Sequence, residues 1–98
     1  MKATKLSISK RKVNFSLDAP MSEQVSLVGD FNEWNPEKHK MKRSENGQWK
    51  KTVVLHPGSY EYKFFADGQW IVDPKNKDSR FNKYGTLNSV VEVSSINR

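Results

Sequence analysis

Paired turn residues at short intervals are the strongest constraint on what this chain can fold into. Asn46-Gly47, Pro57-Gly58 and Asp67-Gly68 each interrupt runs rich in β-branched and aromatic residues. Asn-Gly and Asp-Gly suit two-residue type I′ hairpins, in which both central residues need positive φ. Pro-Gly suits a type II turn, with proline fixing the first central residue and glycine the second. The runs alternate as half-buried strands do. KVNFSLD sets Val13, Phe15 and Leu17 against polar neighbours. EQVSLVGD keeps Val25 and Leu27 in step, and WKKTVVL, YEYKFFA and LNSVVEV complete the set. Ala19-Pro20 separates the first two runs. No segment carries a sustained helical period with caps. Short strands with frequent turns predict an all-β sandwich or barrel.

A length of 98 residues predicts a single domain spanning 1–98, with no internal repeat and no second unit. There is no cysteine, so packing alone must hold the fold, which fits a reducing compartment. The longest apolar run is three residues, so neither a membrane-spanning helix nor the apolar region of a signal peptide is expected. A cytoplasmic protein is the expectation, and Met1 with Lys2 after it has the look of a native start. Residues 1–10 and 95–98 are expected to be flexible or edge-paired.

Seventeen Lys and Arg against eleven Asp and Glu leave a net charge of +6. The excess is clustered. Lys2, Lys5, Lys10, Arg11 and Lys12 form one group, Lys38, Lys40, Lys42 and Arg43 a second, and Lys75, Lys77, Arg80 and Lys83 a third. Such charge attracts phosphate-bearing partners. It also keeps exposed sheet edges from pairing with other chains. The second reading, with solubility, is adopted, because charge at the level of sequence speaks to association and not to fold; the strand pattern also offers no RNA-recognition motif beside the aromatics.

The Asp67-Gly68 turn fixes a register. If those two residues form it, Ala66 faces Gln69, Phe65 faces Trp70 and Lys63 faces Val72. Directly paired residues share a sheet face. Trp70, Phe65 and Lys63 therefore lie on one face, and Tyr62 and Phe64 on the other. With Tyr60, Tyr62 and Phe64 in the core, Trp70 and Lys63 point outward together, which packing alone does not explain. A second unusual stretch is GDFNEWNP, which holds Phe31 and Trp34 in a loop bounded by Gly29 and Pro36. Phe31 is expected to anchor that loop in the core, so that Trp34 either plugs the end of the sandwich or meets a ligand. Trp49, beside a turn, is expected to pack in the core, and Gly29 and Gly85 to serve the backbone.

Catalytic chemistry finds little support. His39 and His56 stand apart, with no cysteine, no HExxH pattern and no phosphate loop. No enzyme activity, no metal and no cofactor are expected. Binding chemistry is better supplied. Sugars present flat C–H faces ringed by hydroxyls; aromatic rings match the faces, and Asn, Lys and Thr match the hydroxyls.

The blocks VSLVGDFNEWNP, GQWKKTVVLHPGSYEYKFFADGQWIVDP and YGTLNSVVEV together resemble carbohydrate-binding modules of family forty-eight, the glycogen-binding type. Such modules occur in the β subunit of AMP-activated protein kinase and at the N-termini of isoamylases and branching enzymes. The resemblance runs from 13 to 93. It implies an immunoglobulin-like β-sandwich of about seven to eight short strands. It also implies non-catalytic binding of α-1,4-glucans such as glycogen, starch or maltooligosaccharides. By this resemblance Trp34 and Trp70 are stacking platforms, and Lys63, Thr86 and Asn88 serve the hydroxyls. Tyr84 stands where kinase-type modules carry a leucine that enters the curve of the glucan, and a tyrosine there can stack or hydrogen-bond instead. A glycogen-metabolism enzyme or a kinase is a further class of partner that the resemblance admits. The alternative reading is a protein-interaction module on the same sandwich; a nucleic acid is not expected.

Overall fold

The computed structural model describes residues 10–95, so the expectation for the chain ends falls almost entirely outside it. Eight strands and one 3₁₀ turn follow in order: β1 Arg11–Asp18, β2 Val25–Gly29, the 3₁₀ turn Asp30–Asn32, β3 Lys42–Arg43, β4 Gln48–Leu55, β5 Gly58–Ala66, β6 Gln69–Ile71, β7 Ser79–Phe81 and β8 Leu87–Val93. All pairings are antiparallel. One sheet has the order β1-β4-β3; the other has β2-β5-β8-β7, with β6 also on β5. The five alternating runs of the sequence are β1, β2, β4, β5 and β8. The short strands β3 and β7 carry no period of their own, having two and three residues, and they form because a longer neighbour offers an edge.

The core lies between the sheets. Phe15, Leu17, Trp49, Val53 and Leu55 face Val25, Leu27, Tyr62, Phe64 and Val93. The Phe15 and Tyr62 rings meet edge-on at 4.9 Å and join the two layers. Phe31 packs against this cluster, as its loop position suggests. Trp49 is core as well, with its indole nitrogen donating to the Ala19 carbonyl at 2.8 Å.

The three glycine turns fare differently. Asp67 and Gly68 have φ of 47° and 83°, and β5 pairs with β6 through Ala66–Gln69 and Phe65–Trp70, the type I′ hairpin expected. At Asn46-Gly47 only the glycine has positive φ, at 84°. Ser44 bonds Gln48 and Gly47 donates to the Ser44 carbonyl, so the loop spans Glu45 to Gly47 and is not a two-residue turn. Side chains decide it: Asn46 Oδ1 accepts from the Ser44 hydroxyl and from the Gln48 N–H, a local arrangement that favours one more residue in the loop. Pro57-Gly58 is not a type II turn either. Gly58 has φ of 152° and already pairs with Val93, because these residues carry the chain from one sheet to the other.

A buried polar network closes the same layer. The Tyr62 hydroxyl donates to Asp73 Oδ2 at 2.7 Å and accepts from Asn76 at 3.1 Å, while the Asp73 N–H donates to the fully buried Ser89 hydroxyl at 2.9 Å. Burial first, and then the Asp73 carboxylate, push the Tyr62 pKa above its ordinary value. Tyr62→Phe is expected to cost about 1–2 kcal/mol, because a buried carboxylate oxygen loses its donor. A lowered urea midpoint with unchanged ligand affinity checks it.

Candidate functional site

β5 changes neighbours halfway along one edge. Its first half, Gly58 to Tyr62, pairs with β8, and its last residues, Phe64 to Ala66, pair with β6. Lys63 falls at the junction. The hairpin ladder stops at Phe64–Ile71, so Lys63 does not pair with Val72 as the register alone suggested. A groove of about 870 Å³ opens there. Trp34, Lys63, Trp70, Tyr84, Thr86 and Asn88 all line it, which brings together the six residues expected from the sequence to bind a ligand.

The aromatic wall comes from a loop and the short strand β6. Trp70 follows the tight hairpin, is 49% exposed and packs on Phe65 with ring centroids 4.6 Å apart. Trp34 lies beside it, with centroids 6.3 Å apart and planes tilted by 58°. Trp34 is partly buried, less open than the loop position suggested. Its backbone is unusual: Glu33 and Trp34 have φ of 60° and 57°, a left-handed conformation that non-glycine residues rarely adopt in succession. Several bonds hold it there. The Trp34 N–H donates to the Gly29 carbonyl at 3.0 Å. Asn32, buried, accepts from the Gly29 N–H and donates to the Leu27 carbonyl and to His39 Nδ1. The bond from Gly29 fixes the amide orientation, so His39 Nδ1 must accept and the ring is neutral. Burial, then Lys51 and Lys38, hold the His39 pKa below its usual value, in keeping with that state. Gly29 has no room for a side chain: a Cβ would stand 2.6 Å from the Glu61 carbonyl oxygen and 2.8 Å from Tyr62 Cβ.

The polar floor comes from strands. Lys63 lies on the outward face, as the hairpin register required, but it is only 9% exposed. Its ammonium carries three donors and makes one hydrogen bond among the described residues, to Thr86 Oγ1 at 3.1 Å. Asn88, 5% exposed, donates to Glu61 at 2.9 Å and accepts from Asn82 at 3.1 Å. Asn82 organises the far rim. Its Oδ1 accepts from the N–H groups of Tyr84 and Thr86, and its Nδ2 donates to Thr86 Oγ1 at 2.7 Å. Gly85 completes that loop at φ 84°. Tyr84 stands at its tip, 79% exposed, with Lys83 Nζ 5.4 Å from the ring centroid.

Sequence reasoning missed Asp30, Glu61, Asn82 and Lys83 in the groove. Asn82, three residues before a glycine in a polar stretch, carried a turn signal that could have found it. Glu61 and Asp30 carried none. Their carboxylates offset Lys63 and Lys83, so the groove mixes charge signs and suits a neutral, hydroxyl-rich ligand better than a phosphate. Among the described residues no three His, Cys, Asp or Glu side chains gather as a metal site would need, and no helix is long and apolar enough to cross a membrane.

Comparison with known proteins agrees with this geometry. The family described as the glycogen recognition site of AMP-activated protein kinase matches residues 12–97. Protein PTST homolog 2, chloroplastic, of Arabidopsis thaliana is 47% identical over 53 residues, covering 54% of this chain and 10% of that protein. The 1,4-alpha-glucan branching enzyme GlgB of Rhodopseudomonas palustris is 41% identical over 58 residues, 59% of this chain and 8% of the enzyme. The 5′-AMP-activated protein kinase subunit beta-1 of Rattus norvegicus is 37% identical over 71 residues, 72% of this chain and 25% of the subunit. The chain thus spans a quarter or less of the length of these relatives. Among solved structures, a maltogenic amylase from S. marinus shares the fold, with a TM-score of 0.75 and 24% identity over 88% of this chain and 14% of the amylase. With its family match running nearly from end to end and its two sheets forming an immunoglobulin-like sandwich, the chain belongs to the glycogen-recognition family of carbohydrate-binding modules.

Proposed function

We propose that this domain binds α-1,4-glucans (glycogen, starch or maltooligosaccharides) and does no chemistry on them. Trp34 and Trp70 stack on glucose rings, Lys63, Thr86 and Asn88 bond hydroxyls, and Tyr84 closes the rim. The observation that carries this reading is the pair of adjacent indoles above a nearly buried ammonium with donors to spare, all in one groove. Its mixed charge supports a neutral ligand. A glycogen-metabolism enzyme or a kinase is proposed as the protein that such a module serves, since a branching enzyme and a kinase subunit are among its relatives.

Retention on glycogen or amylose, with cellulose as control, tests the reading directly. Salt supplies a sharper check. A neutral glucan has no condensed counterions to release, whereas nucleic-acid binding falls steeply with salt. Affinity for maltoheptaose is expected to stay within about twofold between 50 and 500 mM salt, on the same argument. A steep decline would point to an anionic partner.

A further inference from the structure

The N-cap residue of a helical turn ordinarily caps its N–H groups with a side chain, but here that residue is Gly29, which has none. Asp30 follows as the first residue of the 3₁₀ turn, and its carboxylate serves no N–H group of that turn. Both of its carboxylate oxygens go elsewhere. Oδ1 accepts from the indole nitrogen of Trp34 at 3.0 Å, and Oδ2 accepts from the backbone N–H of Glu61 at 2.7 Å. The second contact lies one residue beyond the last β2–β5 pair, Gly29–Tyr62. Asp30 therefore caps the edge of β5 where β2 leaves it, and uses the same carboxylate to hold the ring of a loop tryptophan.

We propose that Asp30 is a positioning residue of the sugar site, tying the Trp34 indole to the backbone of β5 and so setting the tilt of the first stacking platform. The proposal rests on the glucan-binding reading above. Trp34 needs such a tie. Its backbone is left-handed, as is that of Glu33 before it, and a loop stored in that conformation has alternatives to relax into. The bond from the Trp34 N–H to Gly29 fixes the main chain but leaves the ring free to turn about its side-chain torsions. The indole-to-carboxylate bond removes that freedom before a sugar arrives. Its acceptor is charged, and such bonds are shorter and stronger than neutral ones. Asparagine in the same position cannot replace it, since the two donors meet different oxygens and one of them would face its NH₂.

The test is a double-mutant cycle with Asp30→Asn and Trp34→Phe, which keeps a ring but removes the donor. Maltoheptaose affinity is measured by calorimetry on all four proteins. Asp30→Asn is expected to weaken binding about tenfold, the scale of one hydrogen bond to a charged group. In the Trp34→Phe background it is expected to weaken binding no further. Parent affinity for Asp30→Asn, or losses that multiply in the double variant, would overturn the proposal; the latter would mean that Asp30 touches the sugar or acts on the whole fold. A second measurement needs no variant. In the free parent the indole N–H of Trp34 is expected to exchange with solvent more slowly than that of Trp70, which has no hydrogen bond among the described residues. Equal rates would also overturn the proposal. Failure of the underlying reading looks different: Trp34→Ala would then bind as the parent does, whatever Asp30 does.

Discussion

Replacing either Trp34 or Trp70 with alanine is expected to weaken maltoheptaose binding by about 1–3 kcal/mol, the range seen where a flat ring stacks on an aromatic side chain. The fold should persist in both cases, because neither ring belongs to the core cluster between the sheets. The two losses have different sources. Trp70 rests on Phe65, so its platform is braced from beneath, and its removal uncovers Phe65 as well as the sugar contact. Trp34 is held from the side by Asp30, so its removal leaves a carboxylate oxygen facing the empty place. Because the two rings touch, the double variant should lose less than the sum of the single losses. Calorimetry on the three variants, with thermal melts to confirm folding, checks this. If both single variants stay folded and bind glycogen as the parent does, the groove serves another partner, and a protein docking there becomes the reading to pursue.

How much of this was legible in the sequence depends on how local the signal is. The Asp67-Gly68 turn chemistry acts over four residues and forces a register, so it put Trp70 and Lys63 on the same outward face correctly. It could not show that β5 changes neighbours at Lys63, since that depends on where β8 runs, some twenty-five residues away in the chain. The groove exists because of that change. The burial of Lys63 follows from it, which is why a lysine that looked like a surface residue is nearly covered. The Asn46-Gly47 dipeptide carried a true turn signal and a false type, because the amide of Asn46 had a local bond that the dipeptide pattern does not encode. Trp34 was found by family likeness and by its odd company. Its left-handed backbone was not legible, for it depends on the buried Asn32 and its three partners. The carboxylates of Asp30 and Glu61 were invisible for the same reason: each acts across strands.

Lys63→Met is expected to move stability and binding in opposite directions. The side chain is nearly buried and forms no salt bridge among the described residues, so the folded state keeps an ammonium away from most of its water for one hydrogen bond. Methionine fills the same length with an apolar, adaptable stem. Nothing buried is orphaned by the change. Thr86 is exposed and its hydroxyl still accepts from Asn82, while Glu61 retains Asn88 and Arg80. Exchanging a poorly compensated buried charge for an apolar isostere is commonly neutral or favourable, so stability should rise by about 1 kcal/mol. Binding should fall by about 1.5–3 kcal/mol, the worth of hydrogen bonds from a charged donor. A higher urea midpoint together with a weaker maltoheptaose isotherm would mark Lys63 as kept for its ligand at the expense of the fold. If instead both fall together, the ammonium is holding the groove in shape, and the loss of binding is a consequence of that.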